Sequence, residues 1–261
     1  MNPFREIKTH NNKICALVTY SFTMANLAEE SGIDLILVGD SATRVISGLP
    51  DHGNMSLEQM FYHTQAVARA CKRTIVMADL PQATMSEGIE TAIKASKWLI
   101  NEGKAHCIKV EGSSKLALDT VRAIAHAEIP VVGHFSMLDS KNDRVYSKQQ
   151  INQEKVFNTM LALGKELETK GAIALVLSKI HPNIATGITS CINIPTIGIG
   201  SGPDCDGQIL VLEDLLGLTK RDPPYYLKQY AQLGKLTKEA IKTYISEVYS
   251  GQFPEESHCK Y

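Results

Sequence analysis

The chain is poor in the features that mark specialised partners. It has one Trp, 6% aromatic and 21% charged residues, and its 27 Lys and Arg are balanced by 28 Asp and Glu to a net charge of -1. Without a basic excess, and with its cations scattered rather than striped, it lacks the electrostatic footprint that nucleic acid or an anionic membrane requires. No apolar run approaches the roughly 18 residues of a membrane span. The polar start MNPFREIKTHNNK lacks the apolar centre of a signal peptide. These absences predict a cytoplasmic protein whose partner is a small molecule, with no nucleic acid and no membrane. The cysteines, Cys15, Cys71, Cys107, Cys191, Cys205 and Cys259, show no CxxC pairing. Several sit in apolar runs, which predicts buried thiols rather than a zinc site or a disulfide framework.

What is present is an ordinary globular composition, 44% hydrophobic over 261 residues, which excludes a disordered or fibrous chain. Eight short runs rich in Ile, Val and Leu alternate with stretches of helical period: ICALVTY (14–20), LILVGD (35–40), TIVMADLP (74–81), CIKVEG (107–112), PVVGHFS (130–136), AIALVLSK (172–179), PTIGIGSG (195–202) and QILVLED (208–214). Between them, SFTMANLAEESG, SLEQMFYHTQAVARAC, SEGIETAIKASKWLINEG, SKLALDTVRAIAHAE and EKVFNTMLALGKELETKG read as helices, several opening at Ser and closing at Gly. Strands without polar alternation are buried on both faces, as parallel strands under helices must be. With no Pro/Gly/Ser linker, the pattern predicts an α/β fold, a single (β/α)8 TIM barrel over residues 1–261 with a helical tail from about 220 to 261. An open parallel sheet is the alternative, and PTIGIGSGP is the feature that suggests it. GIGSG departs from GxGxxG, so a plain turn is the expected reading.

Active residues of a parallel barrel sit at the carboxyl ends of its strands. Here successive strands end in Asp40 with Ser41, in Asp79, in Lys109 with Glu111, and in His134, so these groups are expected at one mouth. Three carboxylates brought together repel unless a cation lies among them, and Mg2+ suits oxygen ligands with open positions. Such an ion would take a 2-oxo acid through its carboxylate and keto oxygens. Lys109 could then neutralise the substrate carboxylate, Ser41 donate to it, and His134 carry a proton. A single Asp at a strand end is more often a turn former or helix cap, and VGDS alone would merit that reading. His63 is expected as a packed or surface histidine, and His52, His126 and His181 as structural by default. The stretch TKRDPPYYLKQYAQLGKLT reads as a solvated connection.

VGDS (38–41), YHT (62–64), ADLP (78–81), KVEG (109–112), GH (133–134), IPTIGIGSG (194–202), DGQILV (206–211) and EVYSGQFPEESH (247–258) together resemble the ketopantoate hydroxymethyltransferase family, in order along nearly the whole chain. The resemblance implies a barrel of the phosphoenolpyruvate/pyruvate superfamily and Mg2+-dependent, aldol-type hydroxymethyl transfer to a branched 2-oxo acid, with 5,10-methylenetetrahydrofolate as one-carbon donor. Carried over, Asp40, Asp79 and Glu111 would be metal ligands, and Ser41, Asp40, Asp79 and Lys109 would hold the substrate. A homo-oligomer, commonly a decamer in that family, is implied as well.

The chain also departs from the family pattern. The family places a general-base glutamate in a VLE-like segment at the end of the sixth strand, where this chain has Ser178 in VLSK. A neutral serine cannot take a proton from carbon unaided. After GH, a GLTPQ-like segment is replaced by FSMLDSKNDRVYSKQQ, and a Tyr-Asp pair by Tyr20-Ser21. The candidate catalytic residues are therefore Ser178, His134 and His181. His181 stands ahead of Lys179 as substitute base, because strand alternation turns Lys179 away from the mouth. The expected activity is a specialised hydroxymethyltransferase; the alternatives are a metal-dependent lyase or decarboxylase and a non-catalytic paralogue.

Overall fold

A computed structural model describes residues 3–4, 13–50, 55–136, 153–219 and 223–259. The eight expected runs form eight strands: β1 Ile14–Val18, β2 Leu35–Val38, β3 Ile75–Asp79, β4 Cys107–Glu111, β5 Val131–Ser136, β6 Ala174–Ser178, β7 Thr196–Ile199 and β8 Gly207–Val211. Successive strands pair in parallel and close into a barrel in chain order. At the seam, the Ile14 N–H donates to the Asp206 carbonyl at 2.9 Å. The open-sheet alternative is excluded by this closure. β2 is buried at every position, as a strand covered on both faces should be.

The helices are α1 Phe22–Glu30, α2 Ala42–Val45, α3 Leu57–Ala70, α4 Gln82–Ser86, α5 Ile89–Asn101, α6 Lys115–His126, α7 Gln153–Thr169, α8 Pro182–Cys191, α9 Leu212–Leu215 and α10 Leu233–Ser250. Serine caps three of them, α1, α3 and α6, as the sequence predicts. The side chains of Ser21, Ser56 and Ser114 accept from the backbone N–H groups of Met24, Gln59 and Ala117, and Gln59 completes a capping box at α3. Three details differ from the sequence reading. The helix expected from Ser86 is broken at Gly88, so α4 ends and α5 begins there. β8 stops at Val211, and Glu213 with Asp214 enters the first turn of α9, where acidic side chains oppose the positive helix end. No helix joins β7 to β8; Gly200 and Gly202 turn the chain at φ 63 and 85, and a Cβ on Gly202 would lie 2.7 Å from Pro182 Cβ. GIGSG is a turn that needs glycine for close approach.

Two compact units are present, Met1–Leu210 and Val211–Tyr261. The first carries the barrel and α1 to α8. In the second, the 18-residue α10 buries none of its residues. Among the described residues, no helix is long and apolar enough to cross a membrane.

One buried carboxylate braces the end of the barrel opposite the mouth. Glu29, near the end of α1, accepts from the backbone N–H groups of Lys72, Arg73 and Thr74 at 3.2, 3.0 and 3.0 Å, just before β3 begins. The Thr74 side chain and these N–H groups hold its carboxyl down to about 2, against an ordinary 4.5. A group depressed in this way contributes stability that is complete above about 4.5 and lost as pH falls towards 2. Glu29→Ala is expected to cost about 2 kcal/mol at pH 7, the scale of losing charge-assisted hydrogen bonds of which one, from Thr74, is buried. In urea denaturation the gap from the parent should narrow below pH 4; a gap that is constant with pH would show that the carboxylate charge is not what matters.

Candidate active site

Strand register places the chemistry. Asp79 lies opposite Lys109, Glu111 opposite His134, and Ser136 opposite Ser178. Partners in register share a face, and alternation puts Lys109 with Glu111, and His134 with Ser136, on the same side of their strands. Lys109 Nζ is 2.9 Å from Asp79 Oδ1, and the two side chains are only 4% and 6% exposed. Asp79 Oδ2 accepts the Asp40 N–H at 3.0 Å, which ties the end of β2 to the end of β3. Burial pushes the Asp79 carboxyl up to about 6; Lys109 opposes that rise and Asp40 adds to it. Burial alone would lower Lys109, but Asp79, Glu111 and Asp40 outweigh it and hold the ammonium above its ordinary 10.5. At neutral pH the site is therefore a buried ion pair with carboxylate on either side.

His134 completes the cluster. Its Nδ1 is 3.3 Å from Lys109 Nζ and 3.4 Å from Glu111 Oε2, while its Nε2 is buried without a hydrogen-bond partner among the described residues. Ser41 Oγ is 2.8 Å from the hydroxyl of Tyr20, a residue only 1% exposed. A Cβ on Gly39 would come within 3.2 Å of Ser41 Oγ and 3.5 Å of Asp79 Oδ2, so glycine keeps the space between those two groups clear.

The fold thus gathers Asp40, Ser41, Asp79, Lys109, Glu111 and His134. Ser178 ends β6, half-buried and in register with Ser136. His181 stands apart, exposed at the N-cap of α8. Among the described residues, no three His, Cys, Asp or Glu side chains are close enough together to hold an ion unaided. The expected closing segment falls largely on residues 137–152, outside the described residues.

Sequence reasoning named Tyr20 only as part of a departure from the family pattern, and gave neither it nor His63 a role in the site. The His63 ring stands edge-on to Tyr20, and its Nδ1–H donates to the Tyr20 carbonyl at 2.8 Å. The YHT motif therefore supports the strand end that carries the Ser41 partner. The Tyr20-Ser21 pair and the YHT motif were the available signal, but nothing local to either joins residues 43 apart.

This geometry can be compared with known proteins. The family model for ketopantoate hydroxymethyltransferase matches residues 1–256. The chain belongs to that family. Among its curated relatives, a 3-methyl-2-oxobutanoate hydroxymethyltransferase from Thermoanaerobacter sp. (strain X514) is 41% identical over 259 residues, covering 97% of this chain and 93% of the relative. A protein of the same name from Citrifermentans bemidjiense is 40% identical over 256 residues, covering 98% and 96%. The ketopantoate hydroxymethyltransferases are transferases of a one-carbon group, so this member belongs to an enzyme family. Its barrel is also similar to solved structures of 2,3-dimethylmalate lyase, described as a PEP mutase/isocitrate lyase superfamily member (TM-score 0.64, 15% identity, 98% of this chain and 89% of that one), and of phosphoenolpyruvate phosphomutase from Streptomyces platensis subsp. rosaceus (TM-score 0.64, 14% identity, 99% and 91%). At those identities the likeness is one of fold.

Proposed function

We propose that this family member transfers a hydroxymethyl group to C3 of a branched 2-oxo acid, with Mg2+ in the site and 5,10-methylenetetrahydrofolate as the one-carbon donor. The observation that carries the reading is the buried Asp79–Lys109 pair beside Asp40 and Ser41. It supplies one cation and a hydroxyl for an anionic substrate, and two carboxylates for a metal. The relatives' name, with its 3-methyl-2-oxobutanoate, supports the substrate class.

The donor set fits the ion. Mg2+ takes one or two carboxylates and keeps several waters, so Asp40 and Asp79 suffice, and the oxygens of Asp79 retain lone pairs beyond their bonds to Lys109 and the Asp40 N–H. Glu111, which the resemblance assigns to the same ion, lies instead against His134. When bound, the ion would polarise the keto group and acidify the C3 proton. Lys109 neutralises the substrate carboxylate from a dry position, where its charge counts for most. Tyr20 holds the Ser41 hydroxyl in place for a hydrogen bond to the same group.

Proton NMR tests the proposal. Protein incubated with Mg2+, 3-methyl-2-oxobutanoate and methylenetetrahydrofolate should give a new hydroxymethyl resonance that EDTA abolishes. C3 exchange in D2O without that resonance would move the proposal to another one-carbon donor. Neither exchange nor product would overturn it.

A further inference from the structure

We propose that His63 is a positioning residue of the substrate site, holding the backbone of Tyr20 so that the Tyr20 phenol fixes the Ser41 hydroxyl for the carboxylate of the 2-oxo acid. The inference rests on the proposed reading of the mouth, in which Ser41 donates to that carboxylate. It adds the group, on a different element, that decides whether the hydroxyl is aimed correctly.

The argument starts where β1 ends. Its last strand residue is Val18, the Thr19 N–H still donates to the Leu37 carbonyl at 3.2 Å, and Ser21 is already the N-cap of α1. Tyr20 therefore occupies the corner between strand and helix, past the regular ladder. It is only 1% exposed, so its backbone needs protein partners. His63 Nδ1 lies 2.8 Å from the Tyr20 carbonyl, and because a carbonyl can only accept, Nδ1 carries the proton. The imidazole is itself held in place. It stands edge-on to the Tyr20 ring at 6.3 Å and to the Tyr62 ring at 5.4 Å, on a helix that opens with the capping box at Ser56.

The order of protons follows from the two hydroxyls. Tyr20 Oη and Ser41 Oγ are 2.8 Å apart, and each has one proton to give. When Ser41 gives its proton to the substrate carboxylate, which can only accept, the bond between the hydroxyls must use the proton of Tyr20. Tyr20 then donates to Ser41 and Ser41 to the acid, a chain in which each bond polarises the next. Ser41 depends on that support. It stands at the head of α2, a helix of four residues, and its side chain makes no capping hydrogen bond there. The phenol oxygen is at the far end of the side chain from the carbonyl that His63 grips, so a small tilt at the backbone becomes a larger shift at Ser41. A histidine that only packed α3 against the end of β1 would matter equally with or without the Ser41 hydroxyl.

Binding of 3-methyl-2-oxobutanoate to the full chain with Mg2+, followed by ligand-observed NMR, tests this. Ser41→Ala should weaken binding at least about 10-fold, the scale of a hydrogen bond to a charged group. His63→Phe keeps a ring in the slot and removes the donor; it should weaken binding about fivefold, as should His63→Leu if the larger ring is not accommodated. His63→Asn, whose amide nitrogen takes the place of Nδ1, should return to within about twofold of the parent. In the Ser41→Ala background, the same loss of the His63 donor should add less than about twofold, because groups acting through one another do not add. A fivefold loss in both backgrounds would reduce His63 to packing and overturn its role, as would parent affinity in His63→Phe and His63→Leu. Unchanged affinity in Ser41→Ala would instead overturn the placement of the carboxylate at Ser41, and the role of His63 with it. A parent chain that binds no 3-methyl-2-oxobutanoate would overturn the proposed function itself.

Discussion

Lys109→Met is expected to cost about 3–5 kcal/mol of folding stability and about a thousandfold in turnover of the 2-oxo acid. The first number follows from burial. Removing one partner of a buried ion pair leaves the other charge without compensation. The Asp79 side chain, only 6% exposed, has Asp40 for a neighbour. Its carboxyl, already at about 6 with Lys109 present, would rise further once the cation is gone. A carboxyl raised above its ordinary 3.8 contributes stability at low pH that is lost as pH climbs through its folded value. In the parent, that loss across roughly pH 4 to 6 is offset by Lys109, whose own raised value favours the fold until pH passes 10.5. In Lys109→Met the offset disappears, so the variant should be least stable at neutral and alkaline pH and recover on acidification. The second number follows from the loss of a preorganised charge facing the substrate. Adding Asp79→Asn should restore most of the stability and none of the turnover. If the single variant denatures at the parent's urea midpoint at pH 8, the ion pair is not the buried couple described above.

Gly39→Ala is expected to lower turnover about 100-fold while leaving the fold nearly intact. The added methyl would sit 3.2 Å from Ser41 Oγ and from Val18 Cγ1, and 3.5 Å from Asp79 Oδ2. These contacts are tight but yield to shifts of a few tenths of an ångström, so overpacking should cost only about 1 kcal/mol. The shift falls on the groups assigned to substrate and metal, where small misplacements are expensive in rate. A rise in KM with a fall in kcat, at a nearly unchanged melting temperature, is the expected signature. Unchanged kinetics would place the substrate elsewhere in the mouth.

The barrel was legible because its strands are dense apolar runs and three of the intervening helices, α1, α3 and α6, open at a capping serine, and both signals are local. The gathering of Asp40, Asp79, Lys109, Glu111 and His134 was legible for a topological reason, since carboxyl ends of consecutive parallel strands share one face. What could not be read was how those groups divide among themselves. Like charge suggested one ion among three carboxylates, but lateral register joins Glu111 to His134 and leaves Asp40 with Asp79. The prominence given to His181 had a similar cause: nearness in sequence to Ser178 said nothing of the turn into α8, which leaves it exposed. Tyr20, Ser41 and His63 meet only through folding, so their chain of contacts has no periodic trace.

The Glu29 brace and the Asp79 carboxylate of the ion pair stand at opposite ends of β3. Groups so separated share no partners, and the free energies of substitutions at the two places should simply add. Selection can then rewrite the mouth of this barrel, exchanging one base for another, without spending the interactions that keep the barrel closed. A family drifting towards new substrates would be expected to vary its strand tips while Glu29 and the three N–H groups it grips stay as they are.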